Sequence, residues 1–444
     1  SSTAPNRVSW FSGTINPPKG SKINGTNKHM GGPTLDNRDS VGCERTDSGK
    51  PFSCVPLRWK TVPEYLQEAG ISWRVYQDKD NFGDDPLVMW KQYQTSAKKK
   101  GDLAERGTSF PGLQKFFDAA RDGKLPEVSY IVAPMQLSEH PPYMPIDGAW
   151  LQGEVAKAVM HGKNWDSTAL IYSYDETGGW ADHVVSPYPP QSEESEWIED
   201  PYDKSNGISP IGPGFRLPFY IVSPWTSGGH VFTEHAAHES QIMFLEQWAL
   251  AHGKPFTSEE IPTWRREQLS DLVKAFDFSS KDTSVPEVPH VRKPSQDIFT
   301  GHFNGADVCQ AIHLKKVQPD IPYKNLNSSN SMEVNKGFKR LRGDITEGRR
   351  LTFEAHNRAL SHSGSKLKSS SSSKEHNEKD QLFVVHWQGV NPKDNRFRIA
   401  TTDQLYITKS LSMSKDEKKA ALFSLKDMGN GVGYSISAVS YTHL

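Results

Sequence analysis

The sequence predicts an α/β fold with a mostly parallel sheet covered by helices, followed by a small C-terminal β-sandwich-like domain. Two observations carry this. Short apolar runs alternate with helical patterns through residues 1–278, and short alternating strands at even spacing take over beyond residue 340. At 444 residues the chain suits two domains. The expected divisions are an α/β portion over 1–278, a linker or wrapping segment over 279–340, and a small, truncated β domain over 341–444.

In the first part "RVSWF" (7–11), "SWRVYQD" (72–78), "VSYIVAP" (128–134), "ALIYSYDE" (169–176) and "LPFYIVSP" (217–224) read as buried strands. Between them "TVPEYLQEAG" offers Thr61 and Glu64 as a capping box with Gly70 as a stop, and "SQIMFLEQWALAHG" is a helix ending at Gly253. Beyond a Pro-rich polar stretch, "RRLTFEAH", "DQLFVVHWQ", "RFRIATT" and "QLYITKS" read as strands, interrupted by "KLKSSSSSKEHNEKD", which reads as a mobile loop. No internal repeat is visible.

Composition narrows the function. Lys plus Arg (52) nearly balance Asp plus Glu (53), so no global field draws the chain to nucleic acid or an anionic membrane, and charge chemistry must be local. No apolar run approaches the roughly 18 residues that a spanning helix needs, so no transmembrane segment is expected. Three cysteines are too few for a disulfide scaffold. Cys43 and Cys54 flank the turn-rich "ERTDSGKPFS" and would close as a short loop in an oxidising compartment, leaving Cys309 over. Sequons at Asn24 and Asn327 agree with secretion. The chain opens at "SSTAPNR" without an initiator Met or signal peptide, as a processed product or a fragment would.

In parallel α/β sheets the ligand crevice lies beyond the carboxyl ends of the strands, which directs attention to "SEH", "DETGG" and "PWTSGG". At the end of "ALIYSY" the adjacent acids Asp175 and Glu176 offer oxygen ligands to a divalent metal, and the glycines after them let backbone approach a ligand. His183 follows within reach of the same turn, as a metal ligand or a donor to a phosphoryl oxygen. Acids at strand ends are also common caps, so a structural reading of Asp175 and His183 stays open. His140 follows another strand in "SEHPPYMP", and His238 precedes a helix N-terminus in "TEHAAHESQIMFLEQW", although His235 fits the second place equally. Histidines and paired acids together at strand ends favour a phosphate site.

The ordered motifs "SEHPP", "YDETGGWADHV", "GPGFRLPFYIVSPWTSGG", "VFTEHAAHESQIMFLEQW" and "WRREQLSDLVKAFDF" resemble the phosphoesterase family of phosphatidylcholine-type phospholipases C and a related acid phosphatase, with secreted fungal phospholipase C the nearest likeness. The resemblance runs from "TAPNR" through "AFDF" and, more loosely, through "GDITEGRRLTFE" and "DMGNGVGYS". It implies an alkaline-phosphatase-like core, a divalent metal of unknown identity held by Asp175 and Glu176, and catalytic, phosphate-facing His140, His183 and His238. A Ser or Thr hydroxyl would attack phosphorus, with the histidines stabilising charge and protonating the leaving alcohol. The implied substrate is a phospholipid or other phosphate ester, with scope for peripheral membrane contact, and the implied location is secreted or cell-wall. The secreted character of these relatives also favours a Cys43–Cys54 bond.

The family's Glu-Asn metal pair and its nucleophile lie upstream of "PNR", so the chain is expected to be a C-terminal portion without turnover of its own. Ala237 stands where many relatives place an Asp, and "SAVSYTHL" departs from the family's ending. Acid phosphatase activity, or phosphate or lipid binding without catalysis, are the competing functions. In a full-length enzyme, Asp175→Asn is expected to cost far more activity than stability.

Overall fold

The computed structural model describes residues 3–15, 35, 56–178, 186–187, 189–199, 205, 207–314, 339–373, 376, 378–389 and 394–439. The chain divides into two compact units. The first comprises Ser1–Pro224, Ala236–Val273 and Asp282–Lys315, and the second Trp225–His235, Lys274–Lys281 and Lys316–Leu444.

The first unit carries helices α1 (Thr3–Ser12), α2 (Val62–Glu68), α3 (Lys91–Lys98), α4 (Asp102–Gly107), α5 (Leu113–Asp122), α6 (Pro145–Met160), α7 (His238–Ala251), α8 (Thr263–Gln268) and α9 (Gly305–His313). Its strands are β1 (Trp73–Gln77), β2 (Val128–Val132), β3 (Leu170–Ser173), β4 (Trp197–Glu199), β5 (Ile208–Pro210) and β6 (Phe219–Val222). Four of the five apolar runs are strands here. The fifth, "RVSWF", is not: it lies inside helix α1. Ala4, Val8 and Phe11 recur at helical spacing and are buried, and Pro5 sits in the first turn, where its missing N–H costs nothing. A five-residue window hid that period.

The pairing departs from a single mostly parallel sheet. β1 and β2 pair in parallel from Trp73 opposite Val128 to Gln77 opposite Val132, joined by a crossover through α3, α4 and α5. β3 pairs antiparallel with β6, Leu170 facing Val222, and β4 pairs antiparallel with β5. Parallel neighbours need a crossover, commonly a helix. Among the described residues the connection from β3 to β6 holds no α-helix, and the chain returns antiparallel.

Two apolar clusters hold this unit. In one, Val8 and Phe11 of α1 meet Val75 of β1, Tyr130 of β2 and Ile242 of α7. In the other, Phe116 of α5 packs with Leu151 and Val155 of α6. The anticipated cap of α2 is present, with Glu64 Oε2 accepting from Thr61 N (2.8 Å) and Thr61 Oγ1 (2.9 Å). The second predicted helix starts two residues earlier than its apolar run, at His238, and stops before Gly253 at φ 70°.

The second unit is strand-rich. β7 (Val231–Phe232) pairs in parallel with β8 (Leu341–Arg342). β9 (Arg350–Leu351), β13 (Phe383–Trp387), β14 (Arg396–Thr401), β15 (Tyr406–Ile407), β16 (Met413–Ser414), β17 (Phe423–Asp427) and β18 (Tyr434–Ala438) form an antiparallel seven-stranded sheet. β10 (Glu354–Ala355), β11 (Arg358–Ser363) and β12 (Lys366–Ser371) form a second antiparallel sheet, whose Leu360 and Leu367 pack on the cluster around Phe383, Phe397 and Leu425. β12 is the start of the serine-rich run expected to be a mobile loop. Its backbone pairs along all of β11, and an edge strand of this kind needs little from its side chains beyond Leu367.

Because Phe11 is fully buried among Trp10 and Tyr130, Phe11→Ala should cost about 3–5 kcal/mol. Denaturant unfolding of the variant checks this, and a loss under about 1 kcal/mol would return α1 to the periphery.

Asp85 offers a second check. It is buried after β1, accepting from Gln77 Nε2 (2.9 Å) and Leu87 N (3.1 Å). Burial pushes its carboxyl up to about 7, against the pull of those donors and Arg7. The folded state therefore holds a proton that the unfolded state has released, and this contribution to stability fades as pH rises from about 4 through 7. Asp85→Asn should flatten that slope of stability against pH, and an unchanged slope would assign the titration elsewhere.

Candidate active site

Three strands end at one edge. β1 runs out into the loop holding Asp84 and Asp85, β2 into the loop holding Glu139 and His140, and β3 through Tyr174 into Asp175 and Glu176. Met135 N donates to Asp80 O (2.9 Å), tying the first two loops together. Helix α1 supplies the cation that joins the first loop to the third. Arg7 Nε donates to Asp175 Oδ2 (3.0 Å), its Nη1 donates to Asp84 O (2.9 Å), and its Nη2 lies 3.8 Å from Asp84 Oδ2.

Burial alone would raise the Asp175 carboxyl, but the Arg7 charge outweighs it and holds the group below the usual carboxylate range. The remaining oxygen, Oδ1, accepts from Glu176 N (3.0 Å). At the N-terminus of α7, His238 Nε2 meets the main-chain carbonyl of Asp175 at 3.1 Å. A carbonyl only accepts, so Nε2 carries the proton. Burial lowers the His238 pKa against the opposing carboxylate of Glu239, which keeps the ring neutral with Nδ1 as its acceptor.

His140 is exposed, its Nδ1 donating to Pro141 O (2.7 Å) and its Nε2 lying 3.9 Å from Glu176 Oε1. The Glu176 side chain is only 10% exposed. A neutral ring would turn a lone pair toward a carboxylate, whereas an imidazolium or a ligand donor completes the approach.

The residue before His140 is held tightly. Glu139 has a left-handed backbone (φ 65°), and its carboxylate accepts from Tyr174 Oη and from Gln152 Nε2, each at 2.7 Å. The fold allows this because Gly148 of α6 has no Cβ. One built there would overlap Glu139 Cγ and stand 2.6 Å from Oε1.

Of the residues expected at the site, the structure brings together Asp175, Glu176, His140 and His238. His183 lies outside the described residues, as do Cys43, Cys54, Asn24 and Asn327. His235, the alternative to His238, falls in the second unit, where burial and then the Arg349 charge lower its imidazole. Arg7, Glu139, Gln152 and Tyr174 were missed as site residues, although "PNR", "SEH" and "YDE" contain three of them.

Among the described residues no cluster of three or more His, Cys, Asp or Glu side chains is arranged to hold a metal ion. Asp175 has its charge met by Arg7, which leaves one carboxylate and one imidazole 3.9 Å apart. These residues by themselves do not fit a resident divalent ion.

Residues 1–250 match the phosphoesterase family. The chain belongs to that family. It is 36% identical over 337 residues to the non-hemolytic phospholipase C of Pseudomonas aeruginosa, covering 72% of this chain and 44% of that protein. It is 32% identical over 321 residues to the non-hemolytic phospholipase C of Burkholderia pseudomallei, covering 65% and 42%, and 31% identical over 304 residues to phospholipase C B of Mycobacterium tuberculosis, covering 65% and 53%. The chain thus spans about half the length of these relatives, which are bacterial rather than the fungal likeness read from the motifs. Among the described residues no helix is long and apolar enough to cross a membrane.

The contact between Gly148 and Glu139 gives a direct test of the site's geometry. Gly148→Ala should displace Glu139 and cost about 1–3 kcal/mol, read by thermal unfolding. Glu139→Ala combined with it should recover most of that loss, because the overlap disappears, and no recovery would mean that α6 rather than Glu139 resists the methyl group.

Proposed function

We propose that the chain is part of a phosphoric ester hydrolase that cleaves phospholipid phosphodiesters in the manner of a phospholipase C, on an alkaline-phosphatase-like core. The observation that carries this is the meeting of three strand-end loops and the N-terminus of α7 in one polar cluster, within a family match whose relatives are named phospholipases C.

In this reading His140 is the proton donor. As an imidazolium it holds a proton on Nε2 beside Glu176, and it gives that proton to the leaving alcohol oxygen as the bond from phosphorus to that oxygen breaks. A Ser or Thr hydroxyl, not assigned to a described residue, gives its proton to solvent as it forms the new bond to phosphorus, and water then cleaves the phospho-enzyme and restores the hydroxyl. His238, neutral and fixed on the Asp175 carbonyl, keeps the α7 N-terminus against the acid pair. His183 and the divalent ion belong to the family resemblance, and the ion is given no step here. A secreted or cell-wall location is part of the same reading.

The ion pair changes which acid tests the function. Asp175→Asn would leave the largely covered Arg7 beside a neutral amide, so it should lose stability as well as activity. Among the described residues Glu176 faces only the exposed His140, at 3.9 Å, and no arginine. Glu176→Gln should therefore keep the melting temperature of this chain within about 2 °C and, in a full-length enzyme, lower hydrolysis roughly hundredfold or more. Equal losses in both would make Glu176 structural.

Hydrolysis of a chromogenic phosphorylcholine diester is compared with that of a phosphomonoester, each with and without added divalent metals. Preference for the diester supports the proposal, and preference for the monoester makes the protein an acid phosphatase. Protection against unfolding by phosphorylcholine without turnover makes it a binding fragment. Neither turnover nor protection overturns the phosphate-site reading. Stoichiometric metal in the purified chain would show that donors beyond the described residues complete a metal site.

A further inference from the structure

The segment before α9 folds into a small hairpin with its turn fully determined by polar contacts. Asp297 Oδ1 accepts from Phe299 N (3.0 Å), Thr300 N (2.7 Å) and Thr300 Oγ1 (2.9 Å). Asp297 N donates to His302 O and Gly301 N to Asp297 O, both at 2.8 Å, while Gln296 and Phe303 close the stem in an antiparallel bridge. None of this uses the side chains of Ile298 and Phe299. They stand at the tip, 88% and 90% exposed. Two adjacent large apolar side chains in water oppose stability or solubility and gain nothing from the turn, which forms without them.

The base of the hairpin is anchored beside the candidate site. The Phe303 ring packs on Trp150 of α6 with centroids 5.6 Å apart, and Arg292 lies 3.6 Å from the buried Asp147 of the same helix. Asp147 and Trp150 occupy the first two turns of α6, which begins at Pro145, directly after the His140 loop. Helix α9 continues from the hairpin and leaves Val308 and Ile312 exposed, as is Leu314 just after it.

We propose that Ile298 and Phe299 form a wedge that enters the surface of a phospholipid bilayer or micelle and so brings the candidate site to its substrate. This rests on the reading of the substrate as a phospholipid. A lipid surface is the occupant that fits because the feature is a projecting, hydrogen-bonded tip rather than a groove. Fluid acyl chains close around such a tip, whereas a protein partner would have to offer a matching pocket. Lys293, two residues before Ser295 where the stem begins, would supply a positive charge toward phosphate headgroups when the tip is buried.

The test uses the 444-residue chain and vesicles of phosphatidylcholine, alone and mixed with phosphatidylserine, with bound protein separated by flotation. The double variant Ile298→Ser with Phe299→Ser should lower the vesicle-bound to free ratio roughly tenfold or more. Its melting temperature should not change, since neither side chain is packed. Leu250→Ser is the control. It is 60% exposed near the end of α7, where Lys254 pairs with Glu127 just before β2, at the opposite end of that strand from the His140 loop. It should bind as the parent does.

Absence of vesicle binding by the parent chain, or equal binding by the double variant, overturns the wedge. So does a dimer that becomes a monomer in the double variant, which would make the tip a contact between copies. Turnover of the soluble chromogenic diester does not involve the wedge, so its loss or retention judges the hydrolase reading separately.

Discussion

The Arg7–Asp175 ion pair is the contact on which the candidate site depends. Both groups are largely withdrawn from water, where an unpaired charge costs several kcal/mol, and breaking such a pair by removing one partner commonly costs about 3–5 kcal/mol. The guanidinium has three anchors on two strand-end loops, so α1 fixes the exit of β3 relative to that of β1. A second charge system secures the same helix. Ser9 Oγ donates to Glu239 Oε1 (2.7 Å), Arg265 Nη1 donates to that oxygen (2.6 Å), and Arg265 also donates to the buried Glu196. Glu239 adjoins His238. Helix α1 therefore carries one charge network to the strand-end loops and a second, buried one to α7, and the acid pair and its histidine are held in place by both.

Much of the scaffold was legible because its signals are local. The strands at 73–77, 128–132, 170–173 and 219–222 follow from apolar runs, and the α2 cap follows from Thr61 and Glu64. What failed depended on partners far away in sequence. "RVSWF" has the residues of a strand, but burial of Ala4, Val8 and Phe11 on one face decides for a helix. The serine-rich β12 has almost no periodicity, and its partner β11 supplies the backbone bonds that make it a strand. The antiparallel return of β6 onto β3 could not be read from either run, since periodicity carries no direction.

The site divides in the same way. Crevices beyond strand carboxyl ends are a topological rule, and it located the loops of His140 and Asp175 from sequence. It could not show that Asp175 meets an arginine 168 positions earlier, nor that Glu139 is held by Tyr174 and Gln152 over a glycine of α6. Two neighbouring acids look equivalent in sequence. In the structure one is the counter-charge of Arg7 and the other, with the less exposed side chain, faces an exposed imidazole.

That difference bears on what the site can receive. Asp84, Glu139, Asp175 and Glu176 bring carboxylates to this edge, and the charge of Arg7 is directed at Asp84 and Asp175. His238 is kept neutral by burial. A phosphodiester anion arriving here meets surplus negative charge, and each like-charge pair at 4 Å opposes it by about 4 kcal/mol at an effective dielectric of about 20. Phosphate binding at this edge thus needs positive charge beyond Arg7. Besides the exposed Lys79 of the β1 loop, His140 is a group able to supply it, with Nδ1 committed to a carbonyl and Nε2 turned toward Glu176. An imidazolium there converts an approach of two acceptors into a charge-assisted one and offsets the surplus. The two adjacent acids at the end of β3 then have separate tasks: Asp175 cancels an arginine so that the loops can be buried together, and Glu176 stands opposite the histidine whose proton the chemistry would use.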